Sequence, residues 1–80
     1  MDEQTGELEF LLRSANRTEL LAALASEGPL DRYELEESLG TSRRTVSRTL
    51  KKLETRNYIS ETDGGHRLTA FGASVFETYR

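Results

Sequence analysis

The chain of 80 residues contains no cysteine, a single histidine and a single proline. Without cysteine there is no disulfide staple, no thiolate zinc site and no cysteine nucleophile. One histidine cannot make a metal site by itself, because such sites need several ligands. No apolar run approaches the roughly 18 residues of a membrane span, and the acidic start Met1-Asp2-Glu3 is the opposite of the basic n-region of a signal peptide. A Gly-rich phosphate loop is also missing, and Gly64-Gly65 fits a turn better than a cradle. These absences leave little for catalysis and predict a soluble, cytoplasmic protein with no cofactor and no metal.

Eighty residues suffice for one domain that buries about 60% of its unfolded surface, and exclude a second. The formal charge of −3 conceals an asymmetry. Residues 1–40 carry ten Asp/Glu against three Arg, and residues 41–80 carry four Asp/Glu against eight Lys/Arg, so the halves stand near −7 and +4. Six of those eight cations fall between Arg43 and Arg56. A basic stripe on an acidic body is an electrostatic footprint that the overall balance hides.

Residues 1–6 read as a flexible terminus and 7–80 as the domain. The cluster Leu8, Phe10, Leu11, Leu12 predicts a short first helix. Asn16 with Glu19 three residues later predicts an N-cap for a second helix carrying Leu20, Leu21 and Leu24, which stops near Glu27-Gly28-Pro29. Asp31 with Glu34 makes a capping-box pattern, and Leu30 can staple onto Leu35, so a third helix starts at about Arg32 and ends at Leu39-Gly40. After a very short turn, Thr41 or Ser42 caps a fourth helix reaching about Arg56. Tyr58 to Thr62 suits a strand, Asp63-Gly64 a hairpin turn and His66 to Leu68 the return. Thr69 then caps a last helix on which Phe71, Val75 and Tyr79 recur every four residues.

Two helices joined by a short Gly-containing turn and followed at once by a hairpin predict a mainly α fold with a small β-hairpin. This is a winged helix-turn-helix: a three-helix core plus wing, with flanking N- and C-terminal helices. On the fourth helix, at 100° per residue from Val46, Leu50 lies at about 40° and Leu53 at about 340°, forming one apolar stripe. Lys51 at about 140°, Arg44 at about 160° and Arg48 at about 200° lie opposite, with Ser47 at about 100°. A cationic face opposite an apolar one is also the ordinary solvated face of a surface helix. Here the face is almost purely cationic while the other helices are acidic or mixed, which favours a recognition helix at about 42–56 in the major groove of double-stranded DNA. Arginine can chelate guanine, and the hydroxyls of Ser42, Thr45 and Ser47 can reach base edges or phosphates. Arg44, Ser47 and Arg48 are placed to approach bases, and Arg43, Lys51 and Lys52 to meet phosphates. The wing at about 58–69 brings His66 and Arg67 towards the backbone or minor groove, although a hairpin that only closes the core reads the same way.

The run Leu35-x-x-x-Leu39-Gly40-x-Ser42-Arg43-x-Thr45-Val46-Ser47-Arg48-x-Leu50-x-x-Leu53-x-x-Arg56 resembles the core of prokaryotic winged-helix transcription regulators, of MarR-like and archaeal types. Arg67-Leu68-Thr69-x-Phe71-Gly72 resembles the entry to their last helix. The resemblance implies a DNA-binding transcription regulator, with Arg43, Arg44, Ser47, Arg48 and Lys51 at the DNA-reading positions. Asn57 stands where such proteins usually have glycine, and Glu36 where a small residue is common. Phe71, Val75, Phe76 and Tyr79 together offer more apolar surface than a short last helix obviously hides, which predicts a homodimer interface. The alternative from another class is a winged helix that docks a protein instead of DNA.

Overall fold

Short-range signals set most element ends in the computed structural model, which describes residues 4–79. The elements are α1 (Gln4–Leu12), α2 (Ala15–Glu27), α3 (Arg32–Leu39), α4 (Arg43–Thr55), β1 (Ile59–Thr62), β2 (Gly65–Leu68) and α5 (Ala70–Tyr79). The architecture is the expected winged helix: a helical body with one antiparallel hairpin, paired from Ile59 with Leu68 to Thr62 with Gly65. Of the N-terminal stretch read as flexible, residues 4–6 belong to α1, and residues 1–3 lie outside the described residues.

The capping box forms in full at α3. The Asp31 carboxylate accepts the Glu34 N–H at 2.8 Å, and the Glu34 carboxylate accepts the Asp31 N–H at 2.8 Å. Gly40 ends α3 in the left-handed region at φ 62°, leaving two residues before α4. Ser42, not Thr41, caps α4 by accepting the Thr45 N–H at 3.2 Å. At the other end Asn57 takes φ 67°, which asparagine adopts more readily than most side chains. Tyr58 N–H then bonds to Leu53 O at 3.0 Å and Asn57 N–H to Glu54 O at 2.9 Å, the paired bonds of a Schellman ending.

One local reading needs correction. Asn16 does not cap α2: Ser14 does the turning, with extended backbone at φ −148°, ψ 123°, and makes no side-chain cap bond. Because α1 runs to Leu12, the corner must close within Arg13-Ser14, and Asn16 falls inside the first turn. In the hairpin, Asp63-Gly64 forms the turn as expected, and a positive φ follows at Gly65 (121°). That position is forced, since a Cβ there would collide with the Leu30 backbone. The close approach exists because Leu30 and His66 exchange two backbone hydrogen bonds, of 3.1 and 2.7 Å, lashing β2 to the chain just before α3.

Val46, Leu50 and Leu53 are buried as expected, in one core with Leu20, Leu21, Leu24, Leu35, Tyr58 and Ile59, against which Leu39 is half-buried. Val75 and Phe76 belong to the same core, at 0% and 8% exposure. They are therefore unavailable to a partner in the folded chain, and only Phe71 and Tyr79 of the expected interface keep substantial exposure, 39% and 38%. The reason is close packing of α5: a Cβ on Gly72 would run into the Tyr58 carbonyl, so glycine lets the helix lie on the chain entering β1. Thr69 seats it, donating to Asn57 O at 2.6 Å and accepting the Gly72 N–H at 2.9 Å.

Helix α1 is held to the far end of α4 by a network that sequence spacing does not reveal. The fully buried Tyr58 donates its hydroxyl hydrogen to the Glu7 carboxylate, and Arg56 Nη1 lies 3.4 Å from Glu7 Oε1. Over the Phe10 ring sit the guanidinium groups of Arg17 and Arg56, at 3.9 and 4.1 Å from its centre. Arg17 also donates to Phe10 O at 2.6 Å, near the end of α1. Burial, and then the carboxylate at Glu7, push the Tyr58 hydroxyl well above the ordinary phenol range. A raised folded-state value means that the stabilisation is complete below about pH 10, where unfolded tyrosine begins to ionise, and is lost as pH rises further. Unfolding free energy between pH 8 and 11.5 should fall above pH 10 by up to about 1.4 kcal/mol per pH unit more in the wild type than in Tyr58→Phe. Parallel curves for the two proteins would contradict the assignment.

Candidate nucleic-acid interface

The rotation of α4 about its axis is set by its buried stripe, so the opposite face must meet solvent. Arg43, Arg44, Arg48, Lys51 and Lys52 are all exposed there. None of the five forms an ion pair among the described residues, whereas Arg32 lies 4.0 Å from Glu36 and Arg56 is held by Glu7. Unpaired cations on a rigid helix keep their full charge for an external anion.

The hydroxyl residues divide. Ser42 and Thr45 are occupied with each other: besides the cap bond, Ser42 Oγ donates to Thr45 Oγ1 at 3.0 Å. They fix the start of the helix more than they present themselves outward. Ser47 is half-buried and shares with Lys51 a groove between α4, the start of α3 and the hairpin. Arg48 and Lys52 line a second cleft, on the side facing the start of α2.

The hairpin separates the two residues expected together at its tip. Alternation along β2 sends Arg67 outward and His66 inward. The His66 side chain is 13% exposed, with Nδ1 3.7 Å from Glu54 Oε2, so it turns towards α4 instead of standing beside Arg67. The exposed part of the wing also carries Glu61 and Asp63, which makes Arg67 its one outward cation among the described residues.

Two features escaped the sequence reading. Thr49 is a polar residue buried to 8% exposure beside the apolar stripe, and its wheel position next to Val46 was the available signal. Arg17, Asn16 and Ser14 face α4 across the second cleft, which only the tight α1–α2 corner brings about. Among the described residues no three His, Asp or Glu side chains converge as a metal site would need, and no helix is long and apolar enough to cross a membrane.

Comparison with known proteins supports the fold. Comparison with curated proteins gives no match. The solved structure of a protein described as transcriptional regulator Tm0710 from Thermotoga maritima superposes with a TM-score of 0.77 at 28% identity, over 96% of this chain. The chain spans 58% of the length of that structure's chain. The family described as the HVO_A0261 N-terminal domain matches residues 5–80, nearly the whole sequence. The chain therefore belongs to the HVO_A0261 N-terminal domain family, built on a winged-helix fold.

Proposed function

We propose that this domain binds double-stranded DNA sequence-specifically as part of a transcription regulator, of the MarR-like and archaeal kind, working in the cytoplasm as a binding module and not as an enzyme. The observation that carries the reading is the set of five unpaired cations on the outer face of α4, opposite its buried stripe. The description of the Thermotoga maritima protein as a transcriptional regulator supports it. In this reading α4 enters the major groove, with Arg44, Ser47 and Arg48 at base edges and Arg43, Lys51 and Lys52 at phosphates. Arg67 is the wing's contact with the backbone. Arg48→Ala should relax preference at one base pair by roughly 1–3 kcal/mol, whereas Lys52→Ala should weaken all duplexes about equally. Unchanged affinity in both Arg44→Ala and Arg48→Ala would overturn the assignment.

The same reading includes a two-fold dimer in which Phe71 and Tyr79 of two α5 helices meet. It would set two α4 helices about 34 Å apart, one turn of duplex. Sedimentation equilibrium should show self-association that Tyr79→Glu abolishes. A wild-type chain that stays monomeric alone and on a palindromic duplex would contradict the dimer.

A further inference from the structure

A cleft of about 280 Å³ opens between the start of α2 and the flank of α4 that looks away from the hairpin. Its charged lining residues are Arg17, Arg48 and Lys52, and its uncharged ones are Ser14, Asn16, Thr45 and Thr49, so no carboxylate lines it. In a chain with an excess of acidic residues this is a local inversion of charge. Thr49 supplies an independent indication. It is more than nine-tenths buried, lines the cleft, and its hydroxyl makes no hydrogen bond among the described residues. The hydroxyl is not one of the enclosed, unpaired side-chain atoms, so it opens into the cleft and can bond to what enters it. Ser14 likewise makes no cap bond to α2. The Arg17 guanidinium is engaged by the Phe10 carbonyl and ring, so its side chain borders the cleft with its charge already bound towards α1.

We infer that this cleft is a phosphate site and that it receives a phosphodiester of the DNA backbone, extending the interface from α4 onto the start of α2. The Lys52 ammonium, placed at a phosphate above, supplies the charge and the hydroxyl and amide side chains the directional bonds, a donor set that suits a phosphate oxygen. The DNA source of the phosphate rests on the proposed function; the phosphate site itself does not. A backbone contact here would fix how far α4 tilts in the groove, because α2 and α4 would grip the same strand from two directions.

The decisive variant is Asn16→Asp, which puts a carboxylate in the cleft. Asp in the first turn of a helix favours that helix, so lost binding would not come from lost structure. Amide NMR of the intact chain, titrated separately with duplex and with inorganic phosphate, reads the site directly. With duplex we expect saturable shifts at Asn16, Arg17 and Thr49, and Asn16→Asp should weaken every duplex about fivefold or more, irrespective of sequence. Thr49→Val should give a smaller loss of the same kind. Saturation by inorganic phosphate at those amides, with duplex affinity unaltered in Asn16→Asp, would uphold the phosphate site but assign it to a small phosphate-bearing molecule, overturning the DNA source. No response to either ligand at those amides would overturn the proposal, and loss of binding in Arg44→Ala in the same experiment would show that the reading of α4 survives it. A wild-type chain that binds no duplex would instead remove the proposed function, leaving the phosphate titration to decide the cleft.

Discussion

Burial of Val46, Leu50 and Leu53 fixes the rotation of α4 about its own axis, and the chemistry of the outer face follows from it. Turning the helix by half a turn would drown Arg44 and Arg48 in the core and expose three aliphatic side chains, a cost of several kcal/mol before any charge is desolvated. Length is fixed as firmly as rotation. The Ser42 cap opens α4 and the left-handed Asn57 closes it, so the cationic face has defined ends.

The rest of the chain is arranged to hold that helix. On one side His66 faces Glu54 and the Leu30–His66 pair binds the hairpin to the body, so the wing is tied down beside α4. At the far end the Glu7 carboxylate collects Tyr58 and Arg56, tying α1 to the residues that follow α4. The charge distribution matches this division of labour. Arg56 and Arg32 are paired with carboxylates within the structure, while the five cations on the open face of α4 have no ion pair among the described residues.

What could be read from the sequence was what depends on neighbours a few residues away. The Asp31–Glu34 box, the Gly40 exit, the Ser42 cap, the Asn57 turn and the Thr69 cap all involve partners within about one helical turn or a backbone angle with a strong residue preference, and each appears. The 100° periodicity of α4 identified its buried and open faces for the same reason. Readings that needed the tertiary packing went astray. Asn16 looked like a cap because the reach of α1 to Leu12 was unknown. Val75 and Phe76 looked like an interface because nothing local shows that Gly72 lets α5 press onto Tyr58. His66 and Arg67 are adjacent in sequence yet point to opposite faces of β2, and Glu7 meets a tyrosine 51 positions away. The polar flank formed by Thr49, Asn16 and Arg17 joins segments that only the fold brings together.

That the open face of α4 exists to meet a polyanion is tested most directly by the salt dependence of duplex binding. Phosphate contacts from Arg43, Lys51, Lys52 and the wing's Arg67 should give a plot of log K against log salt concentration with a slope of roughly −3 to −4 per domain. A slope near zero, or the absence of duplex binding at low salt, would contradict the account and mark the winged helix as a surface for another protein.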